Sequence, residues 1–277
     1  MKILPTKLDV QSVPVNAEDS IRLHITEPES EDAWITLLCL HGWTLDYHSF
    51  SSQCDLASEG IRVARFDRRG FGASGLTPEF EREVEDVLAL IDHLSGPVAL
   101  YGVSQGARLG LRCAVAGHDR LVGLVTQGGH VDGLVVEEAD GEAIPFHRYA
   151  DWFRAADISA FQHHWLKHPL NAYDVENLSL KKRVALIAAY DGQDLLLPGA
   201  LPHTLDIREA LAHCGVPILA IIGEWETLSR KSHAEQLARM TEASMITING
   251  GGHLCNISQP EAVNLAILRW LKSLGND

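Results

Sequence analysis

Positive charge is scarce in this chain. Its 277 residues hold 23 Lys and Arg against 37 Asp and Glu, a formal net charge of −14. Neutralising a phosphate backbone needs clustered basic side chains, so the balance argues against nucleic acid as a partner. It also disfavours anionic membrane surfaces and leaves small molecules as the expected partner. Long hydrophobic runs are missing too. No stretch of about 18 apolar residues occurs, so no membrane span is expected. The start, Met1-Lys2-Ile3-Leu4-Pro5, lacks the continuous apolar segment of a secretory leader. Cysteine is sparse and unpatterned: Cys39, Cys54, Cys113, Cys214 and Cys255 are an odd set with no CxxC. Wide spacing and apolar neighbours, as in Leu38-Cys39-Leu40, fit buried thiols in a reducing compartment. A cytoplasmic location is therefore expected. Internal repeats and low-complexity tracts are also absent.

What remains is ordinary for a globular protein, with 46% hydrophobic and 22% charged residues. The length suits one large α/β domain or two small ones. Residues 21–25 alternate apolar and polar, as a half-buried strand does. Residues 35–40 are almost wholly apolar, the pattern of a strand covered on both faces of a parallel sheet. Residues 61–66, 98–103, 121–125, 216–222 and 244–248 read as further strands. Val84, Val87, Leu88, Ile91 and Leu94 recur at helical spacing between two of them. A second helix is expected from Leu109 to about Ala116, and a third along Val263, Ala266, Ile267, Trp270, Leu271 and Leu274. Ser258 and Glu261 look like a capping box for that last helix, with Pro260 in its first turn. Strands alternating with helices imply a mostly parallel, doubly wound sheet with right-handed crossovers.

The alternation breaks between residues 132 and 205. This span shows helical stretches and no convincing strand, and it concentrates Phe146, Tyr149, Trp152, Phe153, Phe161 and Trp165. The expected organisation is a core of residues 1–131 and 206–277 interrupted by a helical insertion of residues 132–205. The insertion would lie over the carboxyl ends of the strands, where open α/β sheets bind ligands. Its His163-His164 and His168 resemble metal-ligand spacing, but adjacent histidines diverge on a helix, and no metal is expected.

The chemistry centres on Gly102-Val103-Ser104-Gln105-Gly106. This GxSxG follows a buried strand and opens a helix, the context of a nucleophile elbow. A turn that tight strains the central residue and needs small neighbours, which Gly102, Gly106 and Ala107 provide. Ser104 would then stand above the sheet edge. A serine needs a base. His253 follows Gly250-Gly251-Gly252 after the last strand, on a loop from which it can reach Ser104.

Several segments together resemble the α/β-hydrolase fold family. His41-Gly42-Trp43 is similar to its HG oxyanion motif, and Asp67-Arg68-Arg69-Gly70-Phe71-Gly72-Ala73-Ser74 to its DxRGxGxS turn. Gly102–Gly106 matches the elbow, and Gly252-His253 with Gln259-Pro260-Glu261 the histidine loop. The match covers the chain outside the insertion, which itself resembles the family's helical cap. The resemblance implies a Ser-acid-His order and places the acid in Gly223-Glu224-Trp225-Glu226. Glu226 occupies the position where the family carries Asp. Glu224 is the alternative, with Asp191, Asp194 or no acid at all behind it. The implied oxyanion donors are the backbone N–H groups of Trp43 and Gln105. His41 is expected to be structural, and Arg68 and Arg69 to be turn and surface residues.

The resemblance thus implies a serine hydrolase of a small, partly apolar ester-like substrate, acting through an acyl-enzyme without a cofactor. Serine at the elbow argues against the dehalogenases and epoxide hydrolases of the family, which carry aspartate there. A carbon–carbon bond hydrolase, a perhydrolase and an aminopeptidase remain open. The last would use Glu137, Glu138, Asp140 or Glu142 for a free amine, although a solvated acidic loop also explains them. A non-catalytic ligand receptor on the same fold is the rival of another class.

Overall fold

The computed structural model describes residues 8–28, 33–172 and 177–275. Eight strands run β1 (Leu8–Pro14), β2 (Ser20–Thr26), β3 (Ile35–Leu40), β4 (Ile61–Phe66), β5 (Val98–Val103), β6 (Leu121–Gln127), β7 (Ile218–Gly223) and β8 (Ser244–Ile248). They form one sheet in the order β1-β2-β4-β3-β5-β6-β7-β8. β2 is antiparallel to both neighbours, and every pairing from β4 to β8 is parallel.

Every residue of β3, β5 and β7 is buried, as their unbroken apolar runs require. The period of two then sorts side chains to opposite faces. Leu38, Leu40 and Leu100 join one apolar cluster with α1 (Glu83–His93) and α2 (Gln105–Ala116). Leu37, Cys39, Ala99 and Tyr101 join the other, beside Phe50 and the buried stripe of α11 (Pro260–Ser273). Both faces of the sheet are therefore covered. β1 escapes the sequence reading because it lies at the edge, with Val13 its one buried residue.

The capping box does not form. Gln259, not Ser258, precedes the first turn of α11 and makes no side-chain cap. Ser258 instead ends a short helix, α10 (Cys255–Ser258), and its hydroxyl has no partner among the described residues. Pro260 does open α11.

Between β6 and β7 lie α3 (Phe146–Arg154), α4 (Ile158–Lys167), α5 (Pro169–Ala172), α6 (Asn177–Ala189), α7 (Gln193–Leu196) and α8 (Arg208–Ala212), with no strand among the described residues. Tyr149 and Phe153 of α3 and Phe161 and Trp165 of α4 form a third cluster with Trp43 and Phe71 of the sheet domain. Rings meeting edge to face add to the stabilisation from area burial alone. The insertion is thus anchored on the residues that follow β3 and β4. No described helix is long and apolar enough to cross a membrane.

Candidate active site

β5 ends at Val103 and α2 begins at Gln105, leaving Ser104 alone in the turn with φ 55° and ψ −114°. That backbone is costly for a residue with a side chain, and surrounding contacts hold it. Ser104 N–H donates to the Gln127 carbonyl at 2.7 Å, and Ala107 and Arg108 N–H donate to the Ser104 carbonyl at 3.0 and 3.1 Å. A methyl group on Gly102 would lie 2.4 Å from the Gly106 carbonyl oxygen, and one on Gly106 would lie 2.0 Å from that of Leu40. The two glycines let strand and helix approach at this angle.

His253 follows the loop after β8. Its Nδ1 lies 2.8 Å from Oε2 of Glu226, with both side chains buried. A carboxylate at Nδ1 places the proton there and leaves Nε2 with its lone pair free. That Nε2 is buried without a hydrogen-bond partner among the described residues, and Ser104 and His253 line one narrow cleft. Burial would raise the Glu226 carboxyl, but the His253 imidazole and the Thr227 N–H outweigh it and hold it below the usual range. The other oxygen, Oε1, accepts from Thr227 N–H at 2.9 Å.

The remaining acids lie elsewhere. Glu224 is exposed and accepts from Gly250 N–H at 2.8 Å, tying down the histidine loop. Asp191 is exposed and accepts from Gln193. Asp194 is buried and accepts from Trp43 Nε1 at 2.8 Å and from the Tyr190 hydroxyl at 2.5 Å. Burial raises its carboxyl above the usual range, against those donors.

Trp43 follows β3 beside Ser104. The backbone N–H groups of Trp43 and Gln105 take no backbone partner among the described residues. The Trp43 indole enters the insertion, its ring 4.9 Å from that of Trp165 and edge-on to it. His41 is wholly buried; its Nε2 accepts from Arg68 N–H at 3.0 Å, so Nδ1 carries the proton and donates to the Gly42 carbonyl.

Arg68 and Arg69 are not surface residues, contrary to the sequence expectation. They are 1% and 2% exposed. Arg68 pairs with Glu83 of α1, donates to the His41 carbonyl, and reaches the Gln105 side chain at 2.9 Å. Arg69 pairs with Asp86 and Asp19. Their partners stand 15 or more residues away in sequence, so nothing local announces the pairing.

Two residues that sequence reasoning missed complete the arrangement. Gln127 is fully buried at the end of β6; its Nε2 donates to the His253 carbonyl at 2.8 Å and to Asn256 at 3.1 Å, and its Oε1 accepts from Tyr101. It links the elbow to the histidine loop. A polar residue closing an apolar strand is the signal that could have found it. Gly128, at φ 57°, leaves room for the His253–Glu226 pair.

A larger cavity of about 320 Å³ adjoins the cleft, and Ser104, Gln105 and Trp43 also line it. Ile144, Phe146 and Leu201 supply apolar wall, and Arg108, Arg230 and His130 supply polar wall. Burial, then the charges of Arg230 and Arg108, lowers the His130 imidazole to about 4. Glu142 also lines it, but its carboxylate accepts from Leu228 and Ser229 N–H at 2.8 and 3.0 Å, capping α9 (Leu228–Thr241). The histidines of α4 are engaged locally: His164 with the Tyr149 hydroxyl, His163 with Lys167. No group of three or more metal-ligating side chains occurs among the described residues.

An elbow serine, a carboxylate-held histidine on the loop after the last strand, and an eight-stranded, mostly parallel sheet are the marks of one class of protein. Residues 37–266 match the alpha/beta hydrolase family, and the chain belongs to it. It is 29% identical over 251 residues to the 2-succinyl-6-hydroxy-2,4-cyclohexadiene-1-carboxylate synthase of Salmonella typhimurium, covering 87% of this chain and 95% of that one. Its fold is similar to a thermophilic esterase from Thermogutta terrifontis, with TM-score 0.79 and 22% identity over 96% of this chain and 99% of that one. It is also similar to MenH from S. aureus, with TM-score 0.77 and 20% identity over 91% and 98% of the two chains.

Proposed function

We propose that this chain is a serine hydrolase that cleaves a small, partly apolar ester-like substrate through an acyl-enzyme. The observation that carries this reading is His253, held by Glu226 at Nδ1 and unpartnered at Nε2 in the cleft that Ser104 lines. Ser104 Oγ attacks the substrate carbonyl and its proton passes to His253 Nε2. Glu226 fixes the tautomer and stabilises the imidazolium. The oxyanion faces the N–H groups of Trp43 and Gln105, each contributing roughly a hundredfold to a thousandfold in rate. The intermediate collapses, the leaving alkoxide takes the proton from Nε2, and water repeats the sequence to release the acid. These steps use only side-chain and backbone groups of the chain itself and water. Residues 132–205 act in this reading as a cap that roofs Ser104 with Ile144, Phe146 and Leu201.

A second reading draws on two observations. The Salmonella relatives are named as synthases of a ring carboxylate, and Arg108 and Arg230 line the cavity beside Ser104. The same serine and histidine would then serve proton transfer in breaking a carbon–carbon or carbon–oxygen bond in an anionic substrate. An aminopeptidase role is disfavoured, because Glu142 is occupied in capping α9 and two arginines share the cavity an ammonium would enter.

The test is intact-mass labelling with a fluorophosphonate, comparing the parent protein with Ser104→Ala. The expected result is one adduct on the parent and none on the variant, followed by turnover of small acyl esters. An adduct without ester turnover moves the reading to the lyase alternative. No adduct and no turnover would leave a binding protein.

A further inference from the structure

Arg230 stands four residues beyond Glu226, in the first turn of α9. It lines the cavity of about 320 Å³ together with Ser104. It forms no ion pair within 4 Å with a described residue, and its Nε is buried without a hydrogen-bond partner among them. Of the other charged groups of that cavity, Arg108 and Glu142 are already committed. Arg108 pairs with Asp132 and donates to the His203 carbonyl. Glu142 caps α9. Glu138 is exposed at the cavity and forms no ion pair with Arg230. His130 is neutral near pH 7, since burial and the two arginines bring it to about 4.

A partly buried guanidinium loses hydration and normally regains it from an anion or a set of carbonyls. Arg230 is bonded to neither among the described residues; Glu226, Glu138 and Glu142 act on it only through their charges, from a distance. Its planar fork of donors matches a carboxylate in two-point contact, and such charge-assisted bonds are the strong ones. We infer that Arg230 is a substrate-anchoring residue, and that the molecule turned over at Ser104 carries a carboxylate that pairs with it. This deepens the proposed function and rests on that reading of Ser104. Arg108 also leaves its Nε unpartnered, but its charge is met by Asp132 and its guanidinium donates to the His203 carbonyl, so Arg230 is the anchor.

The test separates binding from chemistry. 4-Acetoxybenzoate and its methyl ester differ in one charge and are small enough for the cavity. Their affinities for the Ser104→Ala protein are measured by calorimetric titration, then for Ser104→Ala carrying Arg230→Gln, Arg230→Lys or Glu138→Gln. The carboxylate is expected to bind at least about tenfold tighter than the ester. Arg230→Gln brings that ratio close to one, Arg230→Lys keeps part of it, and Glu138→Gln raises it by removing a competing anion. Equal affinities in the parent background, or a ratio that Arg230→Gln does not lower, overturn the proposal. Should Arg230→Gln not fold, Arg230→Lys and Glu138→Gln decide: ratios unmoved in both would overturn it. Failure of the fluorophosphonate labelling would count against the proposed function alone, because these titrations lack Ser104 throughout.

Discussion

Gly128 and His253 share a space that admits no side chain on the first. A methyl group on Gly128 would stand 2.6 Å from both Cε1 and Nδ1 of the imidazole, and 2.8 Å from Oε2 of Glu226. Gly128→Ala must therefore push the His253–Glu226 pair aside while also straining a backbone at φ 57°. Displacing a catalytic group by about an ångström costs roughly a hundredfold in rate. The expected result is a kcat loss of that order with a modest drop in urea midpoint. A variant with parental kcat would sink the assignment of His253 as base.

Glu226 and Glu224 are separated by one residue and by their partners, His253 for the first and the Gly250 N–H for the second. Glu226→Gln keeps the shape but removes the charge that stabilises the imidazolium, so kcat should fall by on the order of a thousandfold. Glu226→Asp retracts the carboxylate from a 2.8 Å contact and should lose part of the rate. Glu224→Gln should remain within about threefold. Steady-state kinetics on any ester turned over decide it, and an equal loss in both glutamine variants would refute the distinction. The Glu226 carboxyl lies below its unfolded value, so its share of stability is present above about pH 4.5 and is lost as pH falls from there.

Acid sensitivity has a second source. His233 is 2% exposed, its Nδ1 accepts from Val131 N–H at 3.2 Å, and burial first, then His130 and Arg230, lowers it from 6.5 to about 3. The neutral imidazole is the folded form. Its stabilisation is complete above pH 6.5 and is lost as pH falls toward 3, because the unfolded chain binds the extra proton. Each such proton gives a slope of about 1.4 kcal/mol per pH unit. Urea titrations between pH 4 and 6.5 should show a shallower slope for His233→Gln, whose amide can still accept from Val131. An unchanged slope would place the acid sensitivity elsewhere.

Arg68→Met leaves the Glu83 carboxylate buried without its cation. Removing one partner of a buried pair costs about 3–5 kcal/mol, whereas replacing both by apolar residues is often close to neutral. The urea midpoint should fall steeply in Arg68→Met and recover in Arg68→Met with Glu83→Leu. Equal midpoints in the single and double variants would show that the pair is not what holds this corner together.

Local pattern carried most of the sheet. Strands covered on both faces, such as β3 and β5, announce themselves as unbroken apolar runs, and the elbow is announced by glycines that sterics demand. Long-range pairing leaves no such mark. Arg68 and Glu83 are 15 residues apart and look like surface charges until the chain folds them together. Gln127 lies just past residues 121–125, where apolar character stops but the strand does not, and Gly128 follows its end. Arg230 was overlooked for a related reason: what distinguishes it is a missing partner, which only three dimensions reveal. The capping box failed because Ser258 is itself the end of a helix, so its hydroxyl was not at the position the spacing suggested.

Trp43 serves two parts of the molecule with one residue: its backbone N–H is the one proposed for the oxyanion, while its indole is held by Asp194 and ringed by Phe146, Tyr149 and Trp165. Replacing the insertion wholesale with that of another family member would strip the indole of its acceptor and its neighbours, and so loosen the backbone N–H proposed for the oxyanion. A chimera of that kind would lose rate before it gained a new substrate. Point changes at cavity-facing positions such as Ile144 and Leu201 would instead reshape the pocket while leaving the Trp43–Asp194 contact as a fixed joint between the two parts.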